Sequence, residues 1–133
     1  MDFNDTTEQV AFRRRLRKWL RECAGEGQLA RHGVRSEEAQ NSWHRDLYSA
    51  GYIGLSLPVD DGGRGLPLTF EATLHEEIGR VGAPSITGVS NLIHALHRCG
   101  SDRQRAELRP GLISGSVRWC IASQNTRAPA SRS

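Results

Sequence analysis

The sequence predicts an all-α fold, a helical bundle of five to six helices, followed by a short strand start and a disordered C-terminal tail. Three observations predict it. Apolar residues recur at three- and four-residue spacing in four separate segments. The joints between these segments carry Gly, Pro and N-capping residues. Strict alternation, the mark of a strand, begins only after Ser116.

The first helix is expected from about Thr6 to Ala24. Phe12, Leu16, Trp19, Leu20 and Cys23 form one apolar stripe, arginines take the other faces, and Gly25 and Gly27 stop it. Residues 25–35 form a polar connection. A second helix starts at Ser36, an N-cap, with Glu37 and Glu38 in the first turn where the helix dipole favours them. Its buried face is Ala39, Trp43, Leu47 and Ala50, and Gly51 closes it. The third helix follows Pro67, burying Phe70, Leu74, Ile78 and Val81, and ends at Gly82-Ala83-Pro84. A fourth, from about Ser85 to Arg98, turns Ile86, Val89, Leu92, Ile93 and Leu96 inward, and Cys99-Gly100 ends it. Ser101 and Gln104 then form a capping box. A short helix reaches about Leu108, and another turn runs from Pro110 to Ser114. From Ser116 onward Val117, Trp119 and Ile121 alternate with Arg118, Cys120 and Ala122, a strand with no partner in this chain. Residues 124–133 have no apolar pattern and are expected to be disordered.

The segment from Gly51 to Pro67 is the least ordinary. It holds five glycines and two prolines, so it cannot be helical, yet it carries Tyr52, Ile53, Leu55, Leu57, Val59 and Leu66. A long loop both conformationally demanding and apolar is expected to be packed down and tied to a function.

Composition narrows the class. A chain of 133 residues fits one domain and buries roughly two-thirds of its unfolded surface. No apolar run approaches the roughly 18 residues of a membrane span, and no basic leader precedes an apolar stretch. Cys23, Cys99 and Cys120 are expected to be buried thiols in a reducing compartment, placing the protein in the cytoplasm. The net charge of +3 is almost wholly arginine. Arg13, Arg14, Arg15, Arg17, Lys18 and Arg21 cluster in the first helix; without interleaved aromatics, a solvated helix face is favoured over a nucleic-acid stripe.

Candidate chemistry is sparse. Asp60-Asp61-Gly62-Gly63-Arg64-Gly65 lacks the lysine and hydroxyl of a phosphate-binding loop, which favours a turn-forming structural loop. Glu76 and Glu77 are adjacent and point about 100° apart on a helix, which favours a solvated face over a carboxylate pair. His94 and His97 share a helical face near Cys99, but no third ligand falls at metal-binding spacing. No Ser–His–Asp arrangement has a supporting motif.

Three segments carry a resemblance. They are Ala50-Gly51-Tyr52-Ile53-Gly54-Leu55 through Pro58 with Gly62-Gly63-Arg64-Gly65-Leu66; Glu76-Glu77-Ile78-Gly79-Arg80-Val81-Gly82-Ala83-Pro84; and Gly100-Ser101-Asp102-Arg103-Gln104-Arg105 through Leu108, Pro110, Leu112, Ser114-Gly115 and Trp119-Cys120. In this order and spacing they resemble the N-terminal part of the acyl-CoA dehydrogenase family, over about nine-tenths of the chain. The resemblance implies a helical N-terminal domain over residues 1–115, the start of a middle β-domain over 116–123, and a tail over 124–133. It implies FAD as the hydride acceptor in the full-length family and an acyl-CoA substrate oxidised to the 2,3-enoyl-CoA. It further implies that Ser90, Asn91 and His94 face the acyl chain, and that Trp119, Ile121 and Ser123 lead toward the flavin.

The family pattern ends abruptly. Family members continue after Trp-Cys with a segment such as Phe-Ser-Glu-Pro and then Gly-Ser-Asp, whereas this chain reads Ile121-Ala122-Ser123-Gln124-Asn125. The expectation is a truncation by frame slip, since loss of one base from UUC-UCA-GAA yields Ser-Gln and the start of an Asn codon. The chain alone is then expected to bind little FAD, to have no catalytic base and to be inert. The alternatives are a helical module docking on a separate flavoprotein subunit and, behind it, a basic nucleic-acid binder.

Overall fold

The computed structural model describes residues 5–25, 37–117 and 119. Within them lie five α-helices, one 3₁₀ turn and no strand. The helices are α1 (Thr7–Gly25), α2 (Glu37–Ser49), α3 (Leu68–Arg80), α4 (Thr87–Cys99) and α5 (Asp102–Ser114), and the 3₁₀ turn is Val59–Asp61. α1 packs along α3, α4 against α5, and α2 against α5. None of the described helices is long and apolar enough to cross a membrane.

The helix ends follow local chemistry. At α1, Thr6 Oγ1 accepts from the Gln9 amide (3.2 Å) and Gln9 Oε1 accepts from the Thr6 amide (2.9 Å). Thr6 is therefore the N-cap of a capping box, one residue before the helix proper. α5 has the predicted box, with Gln104 N to Ser101 Oγ at 3.2 Å and Ser101 N to Gln104 Oε1 at 2.8 Å. α2 closes through Gly51 at φ 77°. The Gly51 amide bonds the Tyr48 carbonyl and the Tyr52 amide bonds that of Leu47, the paired bonds of a Schellman ending.

The core joins all five helices. Phe12, Leu16 and Leu20 of α1 meet Phe70, Leu74 and Ile78 of α3, with Trp43 and Leu47 of α2, Ile93 of α4, and Leu112 and Ile113 of α5 completing it. Each such side chain contributes about 1.5–3 kcal/mol on burial. Trp43 is 1% exposed, stacks on Trp19 at 5.6 Å, and donates its indole N–H to the Pro84 carbonyl at 3.0 Å. That bond satisfies the one polar atom its burial would strand.

The loop from Gly51 to Pro67 is packed into this core through Tyr52, Ile53, Leu55 and Leu57. Its two limbs bond each other: the Gly63 amide reaches the Pro58 carbonyl (3.0 Å), Gly65 that of Leu57 (2.7 Å), and Leu66 that of Leu55 (2.9 Å). The limbs cross so closely that a Cβ on Gly63 would lie 2.2 Å from the Leu57 carbonyl oxygen. With these amides committed to loop carbonyls, the loop is a folded structural element and not a phosphate cradle.

Several expectations are corrected. The break between Leu108 and Pro110 does not form; Pro110 lies inside one continuous α5, and the turn beyond it is anchored by the buried Leu112 and Ile113. Val59 is 70% and Val81 42% exposed: the first sits on the 3₁₀ turn above the core, the second just past the last turn of α3. Cys23 is buried as expected, but Cys99 is exposed at the end of α4. Of the strand start over 116–123, only 116, 117 and 119 are described, and none is in a strand. Cys120, the rest of that segment and the tail over 124–133 lie outside the described residues, as does the connection over 26–36.

Candidate functional site

An apolar cleft of about 260 Å³ opens between α2, the Pro84–Ile86 joint, α4, α5 and the segment leaving α5. Trp43, Ile86, Val89, Leu92, Leu112 and Val117 supply its apolar lining, Gln40, Asn41 and His44 its polar edge, and Trp119 stands at one side. Val117 and Trp119 are 51% and 39% exposed. His44 Nε2 donates to the Ile113 carbonyl at 2.9 Å, and Gly115 packs on its ring so tightly that a Cβ there would lie 2.5 Å from Cδ2. α2 and the end of α5 are thereby fixed to each other beside the cleft.

Of the residues the resemblance assigns to the flavin, Trp119 lines this cleft, while Ile121 and Ser123 lie outside the described residues. Ser90, Asn91 and His94 lie on α4, but Val89 and Leu92 are the α4 residues that enter the cleft. The two sets are therefore not brought into one cavity. Ser90 is half-buried, Asn91 exposed, and His94 half-buried one turn after Ser90.

His94 has a specific partner. Its Nε2 lies 3.0 Å from Glu71 Oε2 and 3.2 Å from Oε1, and Glu71 Oε1 also accepts the Ser56 amide (3.0 Å) and the Ser56 hydroxyl (2.7 Å). Burial pushes the Glu71 carboxyl up, but the bonds from Ser56 and His94 outweigh it and hold it below the usual carboxylate range. His97 goes elsewhere. Its Nδ1 is 2.6 Å from Asp61 Oδ2, close but outside hydrogen-bond geometry, while Arg109 Nη1 bonds Asp61 Oδ1 at 2.5 Å. The two histidines thus serve two separate carboxylates, and among the described residues no three His, Cys, Asp or Glu side chains converge as a metal site would require.

Two expectations about charge are corrected here. Glu77 is not on a solvated face; its side chain is 2% exposed. Glu76 and Glu77 do converge, on Nη1 of Arg13, at 2.8 and 2.7 Å. Arg17 adds Nε to Glu77 Oε2 (2.8 Å) and Nη2 to Oε1 (2.7 Å), and Arg13 also holds Asp5 at 2.7 Å. The Arg17 bonds, with those of Arg13, pull the Glu77 carboxyl down to about 2 against the cost of its burial. The bond to Asp5, then those to Glu77 and Glu76, raise the Arg13 guanidinium, and the same Arg13 bond lowers Asp5. Part of the arginine cluster is therefore a clamp between α1 and α3.

Glu71, Glu77 and Asp61 were missed as organising residues. A signal for the first two was present: with Phe70, Leu74 and Ile78 as the buried stripe, Glu71 and Glu77 fall on the same i, i+3, i+4, i+7 lattice. A carboxylate on that lattice must find a partner as it is buried.

Comparison with known proteins agrees with this architecture. Residues 6–116 match the family described as "Acyl-CoA dehydrogenase, N-terminal domain". The acyl-CoA dehydrogenase IpdE1 of Mycolicibacterium smegmatis is 29% identical over 124 residues, covering 85% of this chain and 31% of its own length. The mitochondrial isovaleryl-CoA dehydrogenase of Bos taurus is 31% identical over 126 residues, covering 91% of this chain and 29% of its own. Among solved structures, the ChsE4–ChsE5 complex of Mycobacterium tuberculosis superposes with a TM-score of 0.76 at 21% identity, over 89% of this chain and 30% of that one. The steroid ACAD Tcur3481–Tcur3483 gives 0.73 at 24% identity, over 88% and 31%. The chain spans about three-tenths of the length of the relatives it matches.

Proposed function

The chain belongs to the acyl-CoA dehydrogenase N-terminal domain family, and on that footing we propose that it forms one wall of the acyl-CoA and flavin site of an FAD-dependent dehydrogenase that oxidises an acyl-CoA to its 2,3-enoyl-CoA. The observation that carries the proposal is the family match across all five helices, from residue 6 to residue 116. In this reading Ser90, Asn91 and His94 face the acyl chain from α4. Trp119, with Ile121 and Ser123 beyond it, leads toward the flavin.

The residues beside Trp119 fit one part of FAD. A half-exposed indole next to an apolar cleft suits a flat aromatic ring system, and among the described residues the amides of Asp61 to Leu66 are bonded to loop carbonyls and not turned to its phosphates. When bound, FAD supplies the hydride acceptor for the acyl β-carbon. This domain's part is to exclude water from the ring and to orient the acyl chain. No carboxylate of this chain is assigned the proton-abstracting role, and the 133 residues by themselves are expected to bind little FAD and to show no dehydrogenase activity.

A chimera tests the wall assignment. Residues 6–116 would replace the matching segment of isovaleryl-CoA dehydrogenase. A chimera that holds flavin, and whose acyl-chain preference moves with substitutions at Ser90, Asn91 and His94, supports the reading. A flavin-loaded chimera indifferent to all three removes them from the pocket.

A second reading has its own observation: Val117 and Trp119 are exposed beside an apolar cleft, a face suited to cover by another polypeptide. That partner would be a separately encoded flavoprotein subunit in the same cytoplasmic compartment. A stoichiometric flavoprotein recovered with the chain from its native host favours it; recovery of the chain alone counts against it. A nucleic-acid role is disfavoured because Arg13 and Arg17 are committed to Asp5, Glu76 and Glu77.

A further inference from the structure

Two features of the sequence are left over by this reading: the His94 ring, assigned only a place on the pocket wall, and the buried Glu71 beneath it. Glu71 is 7% exposed and joins three elements, its own α3, the loop through Ser56, and α4 through His94. Its carboxyl stays below its usual range, so near neutrality it is ionised and acts only as an acceptor. Ser56 spends its hydroxyl proton on Glu71 Oε1 at 2.7 Å, the shortest contact of the group. The imidazole nitrogen beside the carboxylate must then carry hydrogen, which fixes Nε2–H as the donor. Nδ1 of the same ring has no partner among the described residues and is not one of the buried atoms left without one.

We propose that Glu71 is a positioning residue that locks His94 in the Nε2–H tautomer, so that Nδ1 is presented on the surface of α4 as a fixed hydrogen-bond acceptor. The ring is held from behind, and its free lone pair selects for a hydrogen-bond donor in whatever packs against that side of α4. Ser56 is the second support: its amide and hydroxyl hold the carboxylate, and its Oγ lies 3.2 Å from Nε2. The arrangement is not a nucleophile triad. In such a triad the acid holds one ring nitrogen and the hydroxyl the other, whereas here Glu71 and Ser56 both meet Nε2. The inference rests on the pocket reading only for the identity of the group that meets Nδ1; the tautomer lock itself stands or falls without any ligand.

Nitrogen and proton NMR of the histidine rings in the 133-residue chain tests it, at a pH where the rings are neutral. The expected result is a His94 Nε2–H proton slow enough in solvent exchange to be resolved, with Nδ1 unprotonated. In Glu71→Ala that signal disappears, while the ring-current-shifted resonances around Trp43 remain and report an intact core. In Glu71→Gln, whose amide oxygen can still accept, the signal persists with a changed shift, a rescue that loss of packing alone would not produce. Ser56→Ala keeps the signal. A proton on Nδ1, a freely exchanging His94 ring in the unmodified chain, or an unchanged Nε2–H signal in Glu71→Ala overturns the proposal. If Glu71→Ala fails to fold, the unmodified chain and Glu71→Gln still decide, because neither a lost signal nor an averaged tautomer is compatible with the lock. The wall assignment is tested separately by the chimera, so the two can fail independently.

Discussion

Two buried carboxylates on one helix behave differently. Glu77 and Glu71 lie six residues apart on α3, both on its inner lattice. Glu77 is held by full cations, Arg13 and Arg17, whose far sides reach solvent; its partners tie α1 to α3. Glu71 is held by an amide, a hydroxyl and an imidazole, with no guanidinium among its partners, and ties the glycine-rich loop to α4. The first arrangement gives a stronger drop in the carboxyl pKa and serves the frame. The second leaves a ring with one nitrogen unspent on the helix assigned to the acyl chain. Guanidinium pairs stabilise a junction, whereas bonds without a guanidinium aim a side chain.

The comparison can be broken at its strong end first. Glu77→Ala removes the buried carboxylate shared by Arg13 and Arg17, while Arg13 keeps Asp5 and Glu76 and Arg17 reaches solvent, so it should destabilise the chain by about 3 kcal/mol, the upper end for bonds between charged groups. Chemical denaturation should show this as a lower midpoint with an unchanged slope. A loss under about 1 kcal/mol would show that the clamp is an ordinary surface pair.

The pH dependence is the next largest effect. The folded pKa of Glu77 is about 2 against an ordinary 4.5, so it is depressed on folding. Its stabilisation is fully present above about 4.5 and is lost as pH falls through about 2. Linkage puts that contribution on the order of 3 kcal/mol. Glu77→Gln should flatten the acid limb of the stability profile across that window. An equally steep limb in the variant would assign the acid sensitivity to other groups.

Glu71→Ala should cost less, about 1–3 kcal/mol, because it strands the amide and hydroxyl of Ser56 and one ring nitrogen, and no guanidinium. Its signature is local: faster amide exchange at Ser56, read by hydrogen-exchange NMR, with α1 unaffected. Loosening of α1 as well would mean that the two carboxylates act as one network. At the bottom of the scale, Arg103→Ala removes an exposed i,i+4 pair with Glu107 on α5 and should shift stability by only about 0.3–0.5 kcal/mol. A larger change would mark that face as more than solvated surface.

Most of the frame was legible in the sequence because its signals are local. The stripe Phe12–Leu16–Leu20, the cap at Ser101 and Gln104, and the ending at Gly51 each predict an element from a few neighbouring residues. The packed loop was legible from its composition. What was not legible depends on partners far apart in the chain. Arg13 and Glu77 are 64 positions apart, and Asp61 and Arg109 are 48 apart; neither pairing leaves a short-range trace. Glu76 and Glu77 were misjudged for a related reason, since an adjacent pair that diverges on its own helix still meets when a long guanidinium reaches across from another. Pro110 was misjudged because the packing of Leu112 and Ile113 on residues distant in the chain, which holds the last turn of the helix, leaves no local trace. The assignment of Ser90, Asn91 and His94 came from resemblance alone, as did that of Trp119, and the lining of the cleft beside Trp119 by α2, α4 and α5 was not read from the sequence.

The most direct test of the central claim is the flavin content of the purified 133-residue chain, read from its visible absorbance. A domain that supplies one wall of the site, and not the flavin's main holding groups, should carry far less than one flavin per chain even after incubation with excess FAD. A stoichiometric flavin band would contradict the account, because it would place the principal cofactor-binding groups within this chain.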